Sequence, residues 1–157
     1  GMGRATVYRR FSEKDQLFQA VILRDLQRNL VIIEGAIRGY SSALDGLLEA
    51  FVQAARLVHI NPLIARLLTT EPDDILPHLT TQYGSTMAFA RQYLSGQIAR
   101  AQQAGHIRKS LPADTTAELI LRLIQSVALT PEGVINPANE ASVRDFANLF
   151  LRPLLAP

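Results

Sequence analysis

The stretch SEKDQLFQAVILRDLQRNLVIIEGAIR, residues 12–38, decides the fold. Leu17, Phe18, Val21 and Ile22 open an apolar stripe, and Leu26, Leu30, Ile33 and Ile37 continue it at spacings of four, three and four. That is the period of a helix with one buried face. Ser12 reads as its N-cap, with Asp15 three residues on as the acidic member of a capping box. Gly35 weakens the far end and Gly39 stops it. From Glu13 to Arg38 the rod would be about 39 Å long at 1.5 Å per residue.

Toward the N-terminus, Arg4 to Phe11 reads as a short separate helix, with Val7 and Phe11 four apart on one face and Arg9 and Arg10 pointing elsewhere. The expected division is a small basic head over residues 1–14 and a body over 15–157. Toward the C-terminus, Ser41 or Ser42 caps a helix that buries Leu44, Leu47, Leu48, Phe51, Val52, Ala55 and Val58. Asn61-Pro62 is a cap followed by proline at the first helical position, opening a short helix with Leu63, Ile64, Leu67 and Leu68. Pro72 and Pro77 predict a turn or a one-turn piece. A long helix is expected from Leu79 to Gln103, closed by Gly105, and another after Pro112 and Asp114. Asn136-Pro137 repeats the capping pattern before a last helix ending near Leu154. Nothing alternates with period two, so the fold class is all-α: an irregular bundle of about six helices behind the head.

Composition bounds the chemistry. The chain has 157 residues, 48% of them apolar and 19% charged, which is ordinary for a globular domain. No apolar run approaches the length of a membrane span, so no membrane partner is expected. With no cysteine there is no disulfide framework, thiol nucleophile or thiolate metal site, and a cytoplasmic location is the expectation. The net charge of +2 is unevenly placed: residues 1–28 carry six basic against three acidic side chains, and the remaining 129 carry ten against eleven. An anionic partner would therefore meet the start of the chain.

Catalytic signals are weak. His59, His78 and His106 lack helical metal spacing, apart from Asp74 four residues before His78 across Pro77, which reads as surface decoration. Ser85, Ser95 and Ser126 stand in no nucleophile elbow, and Asp73-Asp74 read as a solvated turn. The glycines form no phosphate-cradling loop. No enzyme activity, metal or cofactor is expected.

The run from Gly3 to Phe18, GRATVYRRFSEKDQLF, closely resembles the recognition helix and following linker-helix start of TetR-family transcriptional regulators. The remaining pattern of a long connecting helix, an apolar middle and two final helices is similar to that family's regulatory body. The resemblance implies that Thr6 meets the major groove, that Tyr8 and Lys14 reach backbone phosphates, and that Arg4, Arg9 and Arg10 stand where sequence preference is set. Guanidinium forks read guanine edges, whereas hydroxyl and ammonium groups on the backbone set register. Val7, Phe11 and Leu17 match the core of the family's head, which has three helices. This chain begins at the last of them, a truncated helix-turn-helix, so residues 1–157 alone are expected to bind operator poorly or not at all, unlike the intact protein on double-stranded operator DNA.

The same resemblance implies a repressor whose operator binding is controlled by a small hydrophobic effector. The cavity would be lined from Phe51, Leu57, Leu67, Tyr83, Met87, Phe89 and Tyr93. The last two helices would pair with a second copy, and Leu119, Leu123, Val127, Phe146, Phe150 and Leu154 are too many large apolar groups for a thin two-helix layer to hide alone. The alternatives are a ligand-binding and dimerising module with no DNA role, and a small helical enzyme with a site assembled from distant residues.

Overall fold

The computed structural model describes residues 4–82 and 84–157, with side chains from Asp15 onward except at Tyr83. No glycine or proline interrupts the chain from Arg4 to Glu34, and a single helix, α1 (Arg4–Ile37), runs through the whole of it. Its 34 residues span about 51 Å at 1.5 Å each. The break expected at Ser12 is absent. A serine cap contributes about 1 kcal/mol, and a serine inside a helix costs only about 0.5 kcal/mol relative to alanine. Two extra helix ends would forgo several backbone hydrogen bonds, so the uninterrupted ladder wins.

The other caps fall largely where the sequence puts them. Ser42 Oγ accepts from the Asp45 N–H at 3.3 Å and starts α2 (Ala43–His59). Asn61 Oδ1 accepts from Leu63 N at 3.0 Å and Ile64 N at 3.1 Å, starting α3 (Pro62–Thr70). Residues 72–79 depart from expectation, because Pro77 lies inside a two-turn helix, α4 (Pro72–Leu79). An interior proline costs about 3 kcal/mol. The burial of Ile75, Leu79 and His78 offsets this, at about 1.5–3 kcal/mol for each fully buried apolar side chain. Leu79 thus closes α4, and α5 (Gly84–Gln103) starts later than the sequence predicts.

Gly105 ends α5 with φ +78°, the one positive φ found among the described residues. His106 N donates to Ala101 O at 2.9 Å and Gly105 N to Gln102 O at 3.1 Å. Those two bonds make a Schellman cap, which needs a left-handed residue at that point. Then come α6 (Ala113–Leu129) and a turn. The cap of α7 (Glu140–Phe146) is Asn139, not Asn136. Asn136 is held inside the turn, its N–H donating to Ser142 Oγ at 2.9 Å and its Oδ1 accepting from Ala138 N at 2.8 Å.

After α7 the rod widens into a π-helical turn, Ala147–Leu151, and finishes as α8 (Arg152–Leu155). The cause lies in the spacing: Val143, Ala147, Leu151 and Leu155 are all buried and stand four apart. On a 3.6-residue helix such a row drifts by about 40° per step. The π turn takes up that drift and keeps the row facing inward. Arg108 holds the end of the rod, its Nε donating to Ala156 O at 3.0 Å and its backbone N–H to Leu155 O at 2.8 Å.

The result is an irregular all-α bundle with no strand among the described residues. Its main core joins α2, α5 and α6 to the last rod through Phe51, Ala55, Ile98, Ile120 and Leu151, among others. A second cluster joins α1 to α4 through Phe18, Ile22, Ile75 and Leu79, with Leu67 and Leu68 of α3 packed on it. His78, expected on the surface, is buried with its side chain 2% exposed. Its ring lies 5.3 Å from that of Phe18, and its Nε2 is 3.1 Å from Asp15 Oδ1 on α1.

Candidate functional site

Between the two clusters lies a cavity of about 290 Å³. Its origin is a row of small residues. Ala43, Gly46, Ala50 and Ala54, spaced three, four and four on α2, face into it, as do Ala90 and Ala101 from α5. Side chains this short cannot fill the space between helices packed 8–10 Å apart. The opposite wall belongs to α1, whose Leu26, Leu30, Ile33 and Ile37 all line the cavity, and α6 contributes Ile120 and Ile124.

Three of the seven residues expected there do line it: Phe51, Met87 and Tyr93. Leu67 instead packs on the second cluster, and Leu57 stands half-buried outside the cavity. Phe89 faces away, because two residues on from Met87 is about 200° round the helix. It lines a separate shallow hollow with Gln16, Ala20 and Leu23. Tyr83 lies outside the described residues. The α1 wall stands outside those seven: the sequence shows its apolar stripe, which reads as a connecting rod, and the structure makes it a wall of the cavity. The small-residue row on α2 was the signal that could have located the space.

Chemically the wall is uncharged. Among the described residues it contains no Asp, Glu, His, Lys or Arg, and its polar groups are few: Asn29, Tyr40, Ser42, Tyr93, Gln97 and Gln125. Gln125 is already engaged, its Nε2 donating to Leu79 O. The Tyr93 hydroxyl donates to Glu34 of α1. Burial, and next the hydrogen bond to that carboxylate, raise the Tyr93 pKa above its usual value and keep the hydroxyl protonated. Tyr40, beside the cavity, donates to Glu49 Oε2 at 3.2 Å. Glu49 is buried and also accepts from Nη1 and Nη2 of Arg144. Mainly through that bond to Arg144, its pKa is lowered. Arg152 to Asp45 at 2.7 Å is a second tie between the last rod and α2.

The residues expected at a subunit interface divide. Phe150 is 60% exposed and Leu119 42% exposed, and Leu149, which the sequence reading omitted, is 67% exposed. Leu123, Phe146 and Leu154 are half-buried. Val127 is buried in the main core. Rings run outward from the cavity wall, with Phe51 to Phe146 at 5.9 Å and Phe146 to Phe150 at 5.3 Å.

The side chains of Arg4, Thr6, Tyr8, Arg9, Arg10 and Lys14 lie outside the described residues; their backbone is the first part of α1. Among the described residues no group of three or more His, Asp or Glu could hold a metal ion, and no helix is long and apolar enough to cross a membrane. No known protein family, curated protein or solved structure matches the chain.

Proposed function

We propose that the chain is the sensing and dimerising body of a TetR-type transcriptional regulator, and that its cavity takes one small, uncharged, hydrophobic molecule. One observation carries this reading: the helix whose C-terminal half walls the cavity is the same helix that bears the basic segment Arg4–Lys14. A molecule that spreads the wall displaces Leu26, Leu30, Ile33 and Ile37, and a rigid rod transmits that displacement to its far end. The volume is at the low end of the range of small-molecule sites. The uncharged wall selects against charged ligands, since an unpaired buried charge is costly.

The resemblance of residues 3–18 to the family's DNA-reading segment supports the regulatory half of the reading. The exposed Leu149 and Phe150 support a second copy as partner. Selection of DNA from a random duplex pool by the natural gene product tests it. A pseudo-palindromic sequence should be enriched, and a cavity ligand should reduce its retention. Enrichment of nothing would leave the second reading, a ligand-binding module with no DNA role, which the described wall residues between Leu26 and Leu129 would serve as they stand.

A further inference from the structure

Tyr93 stands at a junction. Its ring is part of the cavity wall, and its hydroxyl leaves the wall to meet Glu34 on the exposed side of α1. Asn29 and Gln97, both polar, line the cavity on the same two helices, so this rim is where the apolar space meets solvent. Elsewhere α1 is tied to the body by Asp25, which accepts from Asn61 Nδ2 at 3.1 Å, and by Asp15 at His78. Among the described residues, the Glu34 tie is the hydrogen bond that reaches α5.

We infer that the Tyr93–Glu34 hydrogen bond is a latch across the cavity rim, and that a ligand bearing a hydrogen-bond acceptor such as a ketone or ester oxygen opens it by accepting the Tyr93 hydrogen bond in place of Glu34. The inference rests on the cavity being a ligand site and adds the ligand's chemistry and its link to α1. The hydroxyl has one proton to give, and Glu34 holds it. A carbonyl oxygen at the rim supplies a new acceptor inside the cavity, while the exposed Glu34 carboxylate is rehydrated at small cost. The C-terminal half of α1 then parts from α5 while the Asp15 and Asp25 ties remain, so the rod pivots on its contacts with Asn61 and α4. Ligands without an acceptor fill the space but leave the latch closed.

The uncharged, polarity-sensitive naphthyl ketone prodan serves as the probe, with binding read by fluorescence. Glu34→Ala removes the closed state, and the affinity should rise about fivefold, because the binding-competent fraction no longer limits it. Glu34→Gln, which keeps a weaker acceptor, should give a smaller rise. Tyr93→Phe also opens the latch but removes the donor, so it should show no such gain, and bound prodan should emit at shorter wavelength than in the native chain. Binding by the native chain with no change in Glu34→Ala would overturn the latch, as would equal gains and equal emission in Glu34→Ala and Tyr93→Phe. Failure of the native chain to take up prodan would overturn the cavity reading itself.

Discussion

Asn61 joins two helices with one amide: its Oδ1 caps α3, while its Nδ2 donates to Asp25 Oδ2 of α1 at 3.1 Å. Both ends of the side chain are used, and the Asp25 side chain is only 17% exposed. Asn61→Ala should therefore lose a cap and a tie together. Each contributes about 1 kcal/mol, so urea unfolding should show a loss of about 2 kcal/mol. Asn61→Asp keeps the cap and sets a carboxylate against Asp25, so its penalty should shrink as salt is added.

Filling the cavity should separate stability from binding. Ala54→Leu adds apolar groups at about 0.8 kcal/mol per buried methylene to a wall that has room for them. Thermal unfolding should show a midpoint unchanged or raised by a few degrees, and prodan uptake should be abolished. A large loss of stability would mean that the space is not open.

The ease of locating each feature follows from its physics. Caps at Ser42 and Asn61 were legible because their side chains bond to backbone a few residues away. The Gly105 stop was legible because few other residues adopt its φ. Ser12 and Pro77 misled, since in each case burial or an unbroken ladder outweighed a local preference of one to three kcal/mol. Asn136 and Asn139 are equally good caps by type, and only Ser142 folding back on Asn136 decides between them. The cavity is half legible. Its large residues stand out in the sequence, but empty space is made by small ones, and the row with Ala50 and Ala54 locates that space once α1 is known to face it.

The Glu49–Arg144 pair predicts acid sensitivity of the last rod. The folded-state pKa of Glu49 lies below the ordinary 4.5, so the pair's contribution is fully present above that value and is lost as pH falls through the folded pKa. Stability measured by urea should therefore drop below about pH 4.5, and Glu49→Gln should flatten part of that drop while lowering stability at neutral pH.

Phe150 and Leu149 predict a dimer, because two large side chains that are 60% and 67% exposed on one rod form an apolar patch beside Phe146. Sedimentation at micromolar concentration should give the mass of two chains, and Phe150→Asp should give that of one. A native mass of one chain would remove this face from the account.

The central claim is that occupancy of the cavity moves α1. Because the chain has no cysteine, spin labels can be placed cleanly at Gln27→Cys on α1 and Gln92→Cys on α5, both exposed positions. Saturating prodan should lengthen the distance between them, as Glu34→Ala should in part without ligand. A distance distribution that stays the same with the probe fully bound would contradict the claim.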